Sequence, residues 1–330
     1  MKRRAFVAGL SGTAGWSLVA HAQQDSRVRR VGMLMGLDEN DPEARNRFSA
    51  FTQRLSELGW TDGRNLRMEV RWAAGNVDQM RMFAKELVDL RPNVILAQTT
   101  PVTAALRGES PTIPVVFVHV TDPIAAGFTT SLSRPSGNMT GFVDLEASMA
   151  GKWLELLTQI APDVKQVAAL FNPDTAPGGG SYYVPIFEAA AQLLKVKPIV
   201  APVRSEAEIE KVITLLGQEP RGGLVVTPDV FTTVYRTQII MLAAGKNVPA
   251  VYGVPMAARE GGLLSYGPNR ADILRRSAAY IDRILRGATP SELPIQLPTQ
   301  FEMVLNLKTA RALGLSVPPL IQLSANELIE

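Results

Sequence analysis

Hydroxyls, an amide and carboxylates recur at the ends of short apolar runs in this chain. Val94-Ile95-Leu96-Ala97 leads to Thr99-Thr100-Pro101, and Val115-Val116-Phe117-Val118 leads to Thr121-Asp122-Pro123. Ala168-Ala169-Leu170-Phe171 meets Asn172-Pro173-Asp174, and Leu224-Val225-Val226 meets Thr227-Pro228-Asp229. Thr99, Thr100 and Thr121 can donate to a carboxylate, Asp122 and Asp229 can accept from an ammonium, and Asn172 can do either. These functions match the two charged ends of a free amino acid. Tyr252, with Tyr182, Tyr183, Phe231 and Tyr235, can wall an apolar side chain. Each residue also has a plainer use. Asp-Pro and Asn-Pro pairs start turns and cap helices in any α/β protein, so for Asp122, Asn172 or Asp229 alone, capping is as good a reading as ligand contact. The repetition at four tips, two from each half of the chain, is what favours a binding site.

Other chemistry is excluded by residue counts. The chain has no cysteine and two histidines, His21 and His119. No catalytic residue, metal site or cofactor is expected: zinc sites built from His and Cys, and cysteine nucleophiles, are ruled out. Gly151-Lys152 and Gly245-Lys246 are followed by Trp153 and Asn247, so neither completes a phosphate loop. One enzymatic alternative stays open, an acid–base hydrolase using Asp122 or Asp229, although nothing in the sequence sets their separation.

The apolar runs that carry the tips are strands buried on both faces of a parallel sheet. In an open α/β sheet, ligands lie beyond the carboxyl ends of such strands. Helices with clear punctuation alternate with the strands: Asp41 caps one, Pro42 suits its first turn, Gly59 suits its exit, and Phe48, Phe51, Leu55 and Leu58 repeat at helical spacing. After a strand at 139–144 the pattern restarts, with strands at 164–171, 198–203, 223–227 and 249–253 and helices at 183–195, 206–216 and 231–244. The alternation argues for right-handed βαβ units in two doubly wound lobes. The expected lobes are 28–143 with about 268–290, and 144–267 with about 291–330, the chain crossing between them near 143–147, 265–268 and 290–300. The arginines at 270, 275, 276, 283 and 286 read as a solvated helix face.

Lys2-Arg3-Arg4 followed by a weakly polar stretch has the layout of a secretory signal, with Ala20-His21-Ala22 as a small-x-small cleavage site. Cleavage after Ala22 is expected, by the Sec or the twin-arginine route. It removes three of the 34 basic residues, leaving 31 to balance 31 acidic ones. Net charge then gives no reason to expect nucleic-acid binding.

Several segments together resemble a known family: Ser133-Arg134-Pro135-Ser136-Gly137-Asn138-Met139-Thr140-Gly141-Phe142, Ala150-Gly151-Lys152-Trp153-Leu154-Glu155-Leu156-Leu157, Phe171-Asn172-Pro173-Asp174, Tyr266-Gly267-Pro268 and Asn306-Leu307-Lys308-Thr309-Ala310. They are similar to those of ABC transporter substrate-binding proteins related to the tryptophan-binding TrpX type. The resemblance implies a type I periplasmic-binding-protein fold, with two Rossmann-like lobes, parallel sheets and three interlobe crossovers. It also implies a small-molecule ligand in the cleft and delivery to a membrane permease with a separate ATPase subunit. The protein is then a periplasmic monomer that meets the membrane only through the permease. Carried onto this chain, the family's cleft positions fall on Thr99-Thr100, Thr121-Asp122, Asn172 and Thr227-Pro228-Asp229. An aromatic or branched-chain amino acid, or a related carboxylate, is the expected solute.

Overall fold

Strand β1 (Arg29–Met35) passes into helix α1 (Pro42–Glu57) through Asp41, whose Oδ1 accepts from the N–H groups of Glu43 and Ala44. That cap satisfies donors left over at the helix start, and Phe51 and Leu55 carry the apolar stripe into the core. The computed structural model describes residues 28–110, 112–218 and 221–330; the leader read over 1–22 lies outside the described residues.

Alternation continues with β2 (Leu66–Trp72), α2 (Val77–Asp89), β3 (Val94–Gln98), α3 (Thr100–Glu109), β4 (Val115–Val120) and β5 (Met139–Val143). These strands form a wholly parallel five-stranded sheet in the order β2-β1-β3-β4-β5. A second sheet of seven strands follows from α4 (Met149–Ile160), β6 (Gln166–Phe171), α5 (Val184–Leu194), β7 (Lys197–Pro202), α6 (Glu206–Gln218), β8 (Gly222–Val226), α7 (Val230–Val234), α8 (Arg236–Gly245), β9 (Ala250–Tyr252), α9 (Met256–Arg259) and β10 (Leu264–Pro268). After α10 (Arg270–Leu285) come β11 (Phe301–Asn306), α11 (Leu307–Ala312), α12 (Pro319–Ser324) and β12 (Glu327–Ile329). The second sheet runs β12-β11-β10-β9-β8-β6-β7, and β11 alone pairs antiparallel, with β10.

The chain changes sheets where it must leave one core for another. β10 belongs to the second sheet, yet α10 packs on α1, β3, β4 and β5. Leu293 stays in that first core, and Gln296 bridges to Phe142, before Phe301 rejoins the second sheet. Two structures around two sheets, here the first and second lobes, are therefore joined by several strands of chain. Two local differences from the expected elements have clear causes. The single helix expected at 231–244 is two, because Tyr235 leaves helical geometry (φ −88°, ψ 12°) between α7 and α8. Arg270, expected on a solvated face, is buried and paired with Asp144, since it starts α10 at the lobe junction. Arg275, Arg283 and Arg286 are exposed as expected.

Candidate functional site

The carboxyl ends of both sheets face one cavity. From the first lobe it is lined by Leu37, Arg47, Gln98, Thr99, Thr100, Pro101, His119, Thr121 and Arg270, from the second by Thr175, Pro177, Pro228, Asp229, Val230 and Thr233, and at the junction between them by Asp144. Its empty space is about 430 Å³, the mouth and open solvent included. Among the described residues no group of three or more His, Cys, Asp or Glu side chains could hold a metal ion.

Thr99 ends β3 and precedes α3, and its backbone is strained. Its φ of 87° and ψ of 157° are rare for any residue with a Cβ and more so for a β-branched one. The conformation aims Oγ1 at a buried position without a hydrogen-bond partner. Gly36 makes room for it: a Cβ there would stand 3.0 Å from Thr99 Oγ1 and Cγ2. Gln98, fully buried, accepts the Gly36 N–H on Oε1 at 3.1 Å. That bond sets the amide's orientation, so Nε2 points away, and it too has no partner. The Tyr183 hydroxyl is buried beside Thr121, in the second lobe's core and outside the cavity lining. Burial raises its pKa well above the usual tyrosine value. Buried polar atoms in native proteins are nearly always paired, so the two unpaired ones in this lining, Gln98 Nε2 and Thr99 Oγ1, mark a place for a guest.

Charged groups complete the lining. Arg47, on α1 and 2% exposed, donates through Nε to Glu43 at 2.9 Å. Arg270 makes a two-point pair with Asp144, Nε to Oδ1 at 3.2 Å and Nη2 to Oδ2. Burial alone would raise the Asp144 pKa, but Arg270, with Arg47, holds it below the ordinary carboxylate range. His119 hydrogen-bonds the Arg270 carbonyl through Nε2 at 3.2 Å, and burial pushes its pKa down to about 3, so the ring is neutral. It has a structural place in the cavity wall.

The eight residues selected from sequence divide. Thr99, Thr100, Thr121 and Asp229 line the cavity. Asp229 caps α7: Oδ1 accepts from Thr232 N–H at 2.8 Å and the Thr175 hydroxyl at 3.0 Å, and Oδ2 from Asn172 N–H at 2.9 Å. Burial raises its pKa to about 6. The other four sit elsewhere, for physical reasons. Asn172 turns its Oδ1 to the Asp174 N–H and supports Asp229 from behind. The Thr227 hydroxyl donates to the Leu170 carbonyl. Asp122 closes a turn on the Ile124 and Ala125 N–H groups. Tyr252 packs in the second lobe's core among Ile240, Ala257 and Leu224, as a strand residue pointing away from the cleft. Phe231 and Tyr235 pack against that same core, so the apolar wall is made instead by Leu37, Pro101, Pro177, Pro228 and Val230. Arg47, Gln98, Asp144 and Arg270 were not legible as site residues. The signal for Gln98 was there, directly before Thr99 at a strand end, whereas Arg47 carries no mark distinguishing it from a surface helix residue. The hydrolase alternative finds no support: Asp122 is outside the lining, and Asp144 and Asp229 are both engaged.

Comparison with known proteins agrees with this architecture. The family model described as ABC transporter substrate binding protein matches residues 40–329. A tyrosine-binding protein of Clostridioides difficile (strain R20291) is 22% identical over 267 residues, 80% of this chain and 75% of that one. Among solved structures, a conserved domain protein from Vibrio cholerae superposes with a TM-score of 0.84 at 23% identity, over 92% of this chain and 100% of that one. An ABC domain in complex with L-Trp from Streptococcus pneumonia gives 0.83 at 22% identity, over 91% and 99%. Two α/β lobes with a polar cleft between their strand ends, and a family match spanning both, lead to one conclusion: this chain belongs to the ABC transporter substrate binding protein family.

Proposed function

We propose that the protein captures a free amino acid outside the cytoplasm and hands it to the permease of an ABC importer. The observation that carries the ligand class is the pair of unpartnered buried groups, Gln98 Nε2 and Thr99 Oγ1, in a cavity with an apolar wall. Such groups are costly unless a polar guest satisfies them, and the proline-lined wall suits an apolar side chain. The tyrosine- and L-Trp-binding relatives support the same class. Thr99, Thr100, Thr121 and Asp229 are the ligand contacts in this reading, with Gln98 added. The working lobes are 28–143 with about 268–290, and 144–267 with about 291–330. The mature protein begins at Gln23, acts as a periplasmic monomer and catalyses nothing. Ligand contacts from both lobes favour the closed arrangement by differential affinity.

A thermal-shift and calorimetric screen of the mature protein against the amino acids, nucleosides and sugars tests the ligand class. An amino acid, foremost an aromatic or branched one, raises the melting temperature. A response confined to sugars or nucleosides rejects it.

A further inference from the structure

Strand β4 carries one residue too many for its ladder. Its pairing with β5 is regular to Phe117 opposite Gly141 and resumes at Val120 opposite Val143, so three steps along β4 match two along β5. The strands stand close here: a Cβ on Gly141 would run into the Phe117 carbonyl oxygen. The extra residue is taken up at Val118-His119, where His119 has a left-handed φ of 55°, unusual for a residue with a Cβ. Bulges re-aim side chains and are over-represented beside functional sites. This one sets the imidazole in the cavity lining, although the residue is only 6% exposed and its strand is buried throughout.

The ring's two nitrogens are used differently. Nε2 lies 3.2 Å from the Arg270 carbonyl oxygen, which can only accept, so Nε2 carries the proton. Burial keeps the ring neutral, with a pKa of about 3, and Nδ1 is therefore a bare acceptor. Nδ1 has no donor among the described residues, and it is not one of their sealed unpartnered atoms, which are Gln98 Nε2, Thr99 Oγ1 and Tyr183 Oη. An unpaired, unsealed atom on a ring that lines the cavity opens on that cavity. The lining's other strong side-chain acceptors are taken: Asp144 by Arg270, Asp229 by Asn172, Thr175 and Thr232, and Gln98 Oε1 by Gly36. A cation is a poor occupant for Nδ1. Arg270 and Arg47 both act on the ring as neighbouring positive charges, and the carboxylate that opposes them, Asp144, is paired with Arg270. A neutral N–H or O–H is the donor that suits it.

We propose that His119 is a specificity-determining residue whose Nδ1 accepts a hydrogen bond from a neutral N–H or O–H on the ligand's side chain. This deepens the amino-acid reading and rests on it: the preferred solutes are those whose side chain ends in or carries such a donor. A site that hydrogen-bonds a group of this kind rejects the analogue lacking it, because its own polar atom is then left unpaired.

Calorimetry of the mature protein with two matched pairs tests this. L-tyrosine is set against L-phenylalanine, which lacks the O–H, and L-tryptophan against 3-(3-benzothienyl)-L-alanine, in which sulfur replaces the N–H. In at least one pair the donor-bearing ligand binds about tenfold or more tightly. His119→Phe removes the acceptor and brings that pair to within about threefold. His119→Asn keeps an acceptor and suits the left-handed φ, so its ratio falls between those of the unaltered protein and His119→Phe. Ligand-free melting curves verify folding of both variants, and the ratio within a pair does not respond to a uniform loss of affinity. Equal binding within both pairs by the unaltered protein, or an unchanged ratio in either variant, overturns the role of His119 and leaves the amino-acid reading standing. Failure of every amino acid, leucine included, while a sugar or nucleoside binds, rejects that reading as well.

Discussion

Arg236, at the start of α8 in the second lobe, donates simultaneously to Asp41 Oδ2 in the first lobe and to both carboxylate oxygens of its own lobe's Glu260, the latter at 2.8 Å each. Asp41 is also the N-cap of α1, so one side chain both starts the first lobe's leading helix and clasps the other lobe. Val230 and Val234 pack on the first lobe's core beside this clasp. The two lobes are thereby held in contact next to the cavity.

Asparagine caps helices as well as aspartate, so Asp41→Asn separates the two roles. Hydrogen bonds to charged groups contribute about 1.5–3 kcal/mol. The variant therefore binds the amino acid roughly tenfold or more weakly by calorimetry, with little change in ligand-free unfolding. Unchanged affinity would show that the clasp does not assist closure.

The Arg270–Asp144 pair is buried at the lobe junction, and breaking such a pair costs about 3–5 kcal/mol. Arg270→Met leaves the Asp144 carboxylate uncompensated and destabilises the fold by about that amount in urea. The double variant with Asp144→Leu recovers most of the loss, since no charge is then stranded. Additive losses in the double-mutant cycle would contradict this account.

Thr99 stores backbone strain of about 1–3 kcal/mol in a conformation that glycine adopts freely. Thr99→Gly raises stability by about 1 kcal/mol, the relief exceeding the entropy lost by glycine, while removing a hydroxyl from the cavity. Stability rises and ligand affinity falls. A variant that is less stable in urea would mean that the strain is not borne at this residue.

Acid acts on two buried groups in opposite directions. Burial pushes the His119 pKa in the native state down to about 3, from its ordinary value of 6.5. Between those values the unfolded chain binds a proton that the native state does not, so stability falls as pH falls through 6.5 to 3, by roughly 3–5 kcal/mol in all. Asp229 is raised to about 6 from 3.8, so the native state binds the extra proton and stability rises as pH falls from 6 towards 4. His119→Asn, which suits the left-handed φ of 55°, removes the first effect and exposes the second. The stability of the variant relative to the unaltered protein then grows between pH 7 and pH 4. Parallel pH profiles would show that His119 is not the group titrating.

Periodicity made the scaffold legible. Strand runs such as Val94–Ala97 and Val115–Val118 are apolar because both sheet faces are covered, and Asp41, Pro42 and Gly59 bound α1 by local backbone chemistry. The break at Tyr235 was invisible because the helical pattern continues through it. Four of the eight selected residues line the cavity for the same reason as the strands were legible: a tip residue is a tip residue whatever its side chain does. Asp122 and Asn172 show the limit, since turn-capping and ligand contact call for the same residue types.

What the sequence determined by itself is the order of elements, the parallel sheets and the site's general location, because backbone propensity and apolar periodicity act over a few residues at a time. The tertiary structure alone decided which side chains meet there. Arg47 of α1, Arg270 of α10 and Asp229 of α7 are far apart in the chain, and only the packing of α10 against the first lobe and the docking of α7 on it bring them around one cavity. Burial then gives them their chemistry, since the charge of a group out of water depends on partners that no local pattern names.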